Sequence, residues 1–291
     1  LIATCGCPER KARALWLTLV LLIGMAVMSF SAQARPIDDV TDSGYITIFV
    51  YEDYAPYSWE EDGVPKGIDV DIAKRFADFL GVELRFLVRG ADENIDDDLR
   101  VNIWKGDLIY RQIADVMMHV PYDQEVDARN ELAVLMGPYF NEQMAVVADK
   151  SKLPELPTFG YFVNTPIGVE VDTAGDFFLS NAFRGQLHAS IRRGSTFDDT
   201  VQMYQRAEVP AVMASRAQAE WIAKVAEDID SHVVQPPMPG LVRQSWPIGY
   251  AILHDSRDLG YTLAEVVEDM IDSGEMAQIF ARYGVTWIAP E

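Results

Sequence analysis

Three sets of residues have types and spacings that could do chemistry. In DENIDDD, Asp92, Asn94 and Asp96 fall at the first three ligand positions of an EF-hand loop, where alternate oxygens converge on calcium. The sixth position is Asp97 rather than the glycine a sharp turn needs, and the twelfth is Ile103 rather than a bidentate glutamate. The stretch therefore reads as a solvated acidic loop that caps the helical LRVNIW after it. The second set is aromatic: Tyr54, Tyr57 and Trp59 crowd around Pro56 in EDYAPYSW, directly after the apolar run YITIFVY. The third is four scattered histidines, with no H-E-x-x-H, G-x-S-x-G or P-loop pattern, so no metal or cofactor is implied.

Composition narrows the classes further. The chain has 291 residues, 49% of them hydrophobic, enough to bury a sizeable core. Residues 1–34 differ in kind: Arg10, Lys11 and Arg13 precede an apolar run from Ala14 to Phe30, and AQA follows, the pattern of a cleavable secretory signal peptide. Both cysteines, Cys5 and Cys7, lie in that segment, so the exported chain is expected to have neither thiol chemistry nor a disulfide. The whole chain has 24 Lys plus Arg against 45 Asp plus Glu. Without the leader, which holds Glu9, Arg10, Lys11 and Arg13, 21 stand against 44, a net charge of −23. Such a surface repels nucleic acid and anionic lipid, so neither nucleic acid nor membrane insertion after cleavage is expected.

The elements that must position these residues alternate. YITIFVY, VELRFLV and ADVMMHV read as strands, separated by a helix in DVDIAKRFADFLG and the helical LRVNIWKG, which predicts an α/β fold with mainly parallel sheets. In the first helix Asp69 is the expected N-cap, Gly81 the C-terminal stop, and Ile72, Phe76, Phe79 and Leu80 the apolar stripe. After a loop with Pro154 and Pro157 a second series follows: IGVEV, helices in TAGDFFLSNAF and FDDTVQMYQRA, the strand VPAVMAS and a helix through Trp221. The loop QPPMPG leads to PIGYAILH and two terminal helices broken at Ser273 and Gly274.

In this order and spacing, EDYAPYSWEEDGVPKGIDVDIAKRFADFLGV, ADVMMHV, ARNELAVLMGPYF and PIGYAILHDSRDLGYTLAEVVEDMIDSGEMAQIFARYGV resemble the bacterial family 3 extracellular solute-binding proteins over roughly Gly44 to Val285. The resemblance implies the type II periplasmic-binding-protein fold, two open-sheet lobes joined by two crossings. Lobe 1 would comprise 35–143 and 244–291, lobe 2 144–243, after a signal peptide at 1–34. It also implies a periplasmic receptor rather than an enzyme, one that encloses a small, carboxylate-bearing solute and delivers it to an ABC importer.

The resemblance also assigns residues. Arg129 lies ten before Tyr139, the place of the family's carboxylate-clamping arginine. Thr173, with Asp172, opens a helix where a hydroxyl and free N–H groups meet an anion. Tyr54 and Tyr57, at the C-terminal edge of the first strand, would form an aromatic wall of the cleft, and His119 would line its floor. Ser215 stands where amino acid receptors carry an acidic residue, which puts an α-amino acid ligand in doubt. The insertion WKGDLIYRQI, with HVP, resembles a divergent branch associated with quinoprotein dehydrogenases, so an accessory protein docking such an enzyme is the alternative. A cyclohexadienyl dehydratase-like enzyme, with Glu52 or Glu170 as its acid or base, is a minor one.

Overall fold

A computed structural model describes residues 35–153, 158–241 and 243–290. The expected signal peptide and the loop of Pro154 and Pro157 lie outside them. After α1 (Ile37–Ser43), β1 (Tyr45–Tyr51) alternates its side chains between two buried layers. Ile46, Ile48 and Val50 pack on one face of the sheet, and Phe49 and Tyr51 on the other. A strand covered on both faces is apolar along its whole length, which is why YITIFVY is. The hairpin of β2 (Trp59–Glu61) and β3 (Val64–Lys66) then leads into α2 (Ile68–Leu80) and β4 (Glu83–Arg89). β4 and β5 (Val116–Pro121) flank β1, both parallel to it.

Two details of α2 differ from the sequence reading. The helix begins two residues earlier, with Gly67 rather than Asp69 at the cap position, so Asp69 falls inside the first turn, fully buried. Phe79, placed in the apolar stripe, is 51% exposed, while Ile72 and Phe76 are fully buried and Gly81 stops the helix in the left-handed conformation. IDDDL of the stretch expected as an acidic loop forms α3 (Ile95–Leu99), capped by Asn94, whose side chain accepts from Asp97 N–H, and RVNIW continues it as a π-turn at Arg100–Trp104.

After α4 (Gln124–Arg129), β6 (Ala133–Asp149) builds both halves of the molecule. Its residues 133–143 pair antiparallel with β11 (Ser245–Leu253), and its residues 144–149 pair with β9 (Ala211–Ser215) and β10 (Ser231–Val234). β9 continues into β7 (Ile167–Glu170) and β8 (Ile191–Gly194), again parallel, giving the order β4-β1-β5-β11-β6-β9-β7-β8. This is a two-lobed α/β architecture with β6 shared. A second connection runs beside it, where Met144 N–H donates to Gln244 O at 2.9 Å.

The helices of the second half, α5 (Ala174–Asn181), α6 (Phe197–Gln205) and α7 (Arg216–Val225), each start at a hydroxyl residue. Thr173, Thr196 and Ser215 each accept from the N–H three residues on. Met144, Val146 and Ala148 face one core beneath these helices, and Ala145 and Val147 face the other. The chain ends with α8 (Arg257–Asp272) and α9 (Glu275–Arg282), which cover the first half. There Tyr283 donates to Asp71 at 2.7 Å, and Trp59 meets Trp221 of α7 at 5.1 Å between ring centroids.

Gly67 fixes how the aromatic turn sits over α2. Its φ is 131°, and a Cβ there would stand 2.1 Å from the backbone oxygen of Tyr57, which itself accepts from Asp69 N–H at 3.0 Å. Only glycine permits that approach. Gly67→Ala should therefore destabilise the protein by about 2 kcal/mol or more, read as a lowered midpoint of thermal unfolding. An unchanged midpoint would mean that the turn moves freely over the helix.

Candidate functional site

The C-terminal ends of β1 and β5 face those of β7 and β9 across a cleft between the two halves. A cavity of about 640 Å³ lies there, lined by Tyr51, Tyr54, Asp98, His119, Glu170 and Trp246 among others. A chamber of about 130 Å³ adjoins it on the side of α5 and α7. Tyr54, Glu170, Thr173, Phe197 and Trp246 line both.

The floor of the larger cavity is an ordered polar group. Asp69, buried by its position in the first turn of α2, accepts from Tyr139 Oη at 2.6 Å and pairs with His119 Nδ1 at 3.1 Å. The pairing with the carboxylate fixes the orientation of the imidazole. Tyr57 and Tyr54 fix the ring from the sides, at 4.0 and 4.9 Å between centroids. His119 is held at φ 61° and Asp53, on the rim, at φ 49°. A left-handed conformation is costly for residues other than glycine, and such strain clusters at functional sites.

The lining is acidic. Glu52, Asp53, Asp98 and Glu170 face the larger cavity, and neither cavity is lined by lysine or arginine among the described residues. Burial pushes the Glu170 carboxyl above the ordinary carboxylate range. Asp98 is pushed up by the same cause, against hydrogen bonds from Asp92 N–H and Tyr51 Oη, both at 2.8 Å.

Of the residues singled out from sequence, Tyr54, His119, Thr173 and Ser215 meet at these cavities. Tyr57 is fully buried behind Tyr54, stacked on it at 5.4 Å, and does not line either. Asp172, also at positive φ, borders a separate surface pocket beside Phe177. Arg129 corrects the carboxylate clamp: its side chain is 52% exposed on α4, pairs with Asp96 at 3.1 Å, and lines neither cavity. Residues 124–129 fold into α4, which ends at Arg129 on the surface. The acidic loop is corrected in part, since Asp98 is buried and faces the cleft.

Trp246, Phe197, Gln218 and Glu142 went unrecognised in the sequence. Trp246 sits beside Pro247 after a proline-rich loop, a signal of a rim position. Glu142 has no local signal, because its partners lie far along the chain. It is 1% exposed on β6, where the strand passes between lobes. Tyr57 Oη donates to one of its oxygens, and the other accepts from Gln143 N–H at 2.8 Å and from Arg216 N–H, at the start of α7, at 3.1 Å.

Burial pushes the Glu142 carboxyl above its ordinary 4.5, against the hydrogen bonds that favour ionisation. The folded chain then holds this proton more tightly than the unfolded one. The stability it contributes is complete below 4.5 and falls as pH rises toward the folded value. Glu142→Gln removes that titration and retains an acceptor. Relative to the parent, its stability should rise from pH 4.5 upward, by at most about 1.4 kcal/mol per pH unit, read by urea denaturation over a pH series. A pH-independent difference would mean that the carboxyl titrates alike in both states.

The family model of the bacterial extracellular solute-binding proteins, family 3, matches residues 46–109. A cyclohexadienyl dehydratase from Pseudomonas aeruginosa is 37% identical over 67 residues, 23% of this chain and 25% of the dehydratase. Among solved structures, an ancestral cationic amino acid solute-binding protein, AncCDT-1, superposes with a TM-score of 0.68 at 19% identity, covering 85% of this chain and 98% of that one. An amino acid ABC transporter substrate-binding protein from Streptococcus pneumoniae, bound to L-arginine, gives 0.62 at 18% identity, covering 87% and 100%. A mutant of ArgBP from T. maritima gives 0.57 at 24% identity, covering 85% and 98%. Residues 46–109 thus resemble the bacterial extracellular solute-binding proteins of family 3, and the solved structures share the two-lobed fold of this chain.

Proposed function

We propose that this protein is a periplasmic receptor that encloses a small solute bearing a cationic group and presents it to an ABC importer. The observation that carries the reading is the sign of the cleft: four carboxylates face the larger cavity, without lysine or arginine among the described residues. Aromatic faces of Tyr51, Tyr54 and Trp246 complement these groups, because a cation is attracted to a ring face as well as to a carboxylate. A carboxylate as the solute's main handle, the expectation tied to Arg129, loses its support with that residue on the surface. Relatives described as binding cationic amino acids or L-arginine support the same class of solute. In this reading the lobes are 35–143 with 244–291, and 144–243, and they close on the solute about the β6 crossing.

A second reading, a cleft enzyme related to the dehydratase, has one specific support: Glu170 borders both cavities with a raised proton affinity, as a general acid requires.

The test is thermal unfolding against amines, guanidines, quaternary ammonium compounds, neutral alcohols and dicarboxylates. A cation at about 100 times its dissociation constant should add about 2.7 kcal/mol, a rise of roughly 5–10 °C at this size. Glu170→Gln should weaken binding about tenfold, the loss of one charge-assisted contact. Parent affinity should rise with pH as the cleft carboxylates ionise. Stabilisation by dicarboxylates alone would overturn the cationic assignment. Silence across the panel with copurification of a quinoprotein dehydrogenase would replace the receptor by an accessory protein.

A further inference from the structure

The most exposed large apolar side chains among the described residues fall at two places away from the cleft. Leu108, Ile109 and Tyr110 are consecutive and 94%, 80% and 75% exposed, and Phe177 on α5 is 74% exposed. Single exposed apolar groups are ordinary, but three in succession form a patch. The first place is a fixed projection. One oxygen of Asp107 accepts from Ile109 N–H at 2.8 Å and Tyr110 N–H at 2.6 Å, and the other accepts from Gln112 N–H at 3.3 Å and from Arg89 of β4 at 2.8 Å. Arg89 also donates to the buried Asn102 at 3.1 Å. The two stems of the turn touch at Gly106, where φ is 77° and a Cβ would stand 2.5 Å from the carbonyl carbon of Arg111. The tip is thus held outward before any partner arrives, which lowers the ordering cost of a contact. Lys105 and Arg111 flank it, both exposed and outside the ion pairs of the described residues.

The second place is the surface pocket beside Phe177, of about 450 Å³. Phe177, Phe178, Pro239 and Leu241 make its walls apolar. Its charged lining residues are Asp172, which is exposed and without an ion pair among the described residues, and Arg243, which Asp123 neutralises. The tip is tied to β4, the first strand in the sheet order, whereas α5 is tied to β8, the last, by Asp176 and Arg193 at 2.8 Å. Tip and groove lie at opposite ends of the molecule, so a tip does not fill its own groove.

Charge selects the occupant. An apolar tip between two cations complements an apolar groove in an acidic surface, and a basic partner would repel it. An anionic bilayer would attract the tip but repel the body, which from residue 35 onward has 44 acidic against 21 basic residues. A second copy of this chain supplies the acidic surface and the groove together. We propose that the protein associates head to tail, with Leu108 and Ile109 of one copy entering the groove beside Phe177 of the next. The contact is heterologous, so a pair of copies retains one free tip and one free groove. Three side chains bury far less than the roughly 1,200 Å² of a stable interface, so the association is weak, with a dissociation constant on the order of 100 µM.

Sedimentation equilibrium of the protein from about 10 µM to about 1 mM tests the contact. The weight-average mass should rise with concentration, and the rise should shrink in high salt as Lys105 and Arg111 are screened. Leu108→Ser with Ile109→Ser removes the tip and Phe177→Ser impairs the groove, and each should leave a monomer with the thermal midpoint of the parent. Mixed in equal amounts, these two variants should form dimers and nothing larger, because the first retains a groove and the second a tip. Lys105→Glu with Arg111→Glu, which leaves the apolar side chains in place, should weaken association about tenfold. A parent that stays monomeric at about 1 mM, association that survives in either apolar variant, or a mixture that stays monomeric overturns the proposal. Binding of the parent to phosphatidylglycerol vesicles, lost in the tip variant and unaccompanied by self-association, also overturns it and makes the tip a lipid anchor.

Discussion

The carboxylate of Glu142 sits at the point where the two halves of the molecule meet, and much of the cleft is organised from it. It lies on the strand that passes from one sheet to the other, takes the hydroxyl of Tyr57 from the first half, and accepts N–H groups at the start of α7 in the second. Interior carboxylates are unfavourable unless their oxygens are used. Here both are, so the group fixes Tyr57 from one side and the opening turn of α7 from the other. Tyr57 in turn supports Tyr54 and His119, and α7 carries Ser215 and Gln218 to the chamber. Glu142 also caps α7 from the neighbouring strand, beside the hydroxyl of Ser215. It is spent internally and does not face the cavities.

A second buried carboxylate performs the corresponding task on the floor. Asp69 joins Tyr139 on β6 to His119 on β5, and so sets the orientation of the imidazole that lines the cleft. The strained backbone of His119 is held by this pair and by two tyrosine rings. A site formed this way is fixed before a solute arrives, which lowers the cost of binding.

The scaffold was legible in the sequence because its signals are local. YITIFVY, the glycine stop at Gly81, the Thr173 cap and the break at Ser273 and Gly274 are each decided by neighbouring residues, and each takes its expected place. The site was legible only where geometry follows directly from topology, as for Tyr54 at the end of the first strand. Arg129 failed because a spacing to Tyr139 does not say which way the side chain points: Arg129 closes α4 and turns to Asp96 at the surface. Asp69 and Asp98 looked like a cap and a solvated loop, since burial by distant partners leaves no mark on the residues around them. The sign of the cleft is a property of three segments brought together, those of Glu52 and Asp53, of Asp98 and of Glu170, and it emerges only from the fold.

The unbroken course of β6 through both sheets has a mechanical consequence. With a second connection bonded alongside it at Gln244, the two lobes cannot slide or separate freely. In the receptor proposed above, what remains is rotation about a common spine, close to a single degree of freedom. Two bodies that must find one angle rather than a full set of positions and orientations lose little entropy when they come together. Interactions gained on closing are then available almost undiminished to hold the solute.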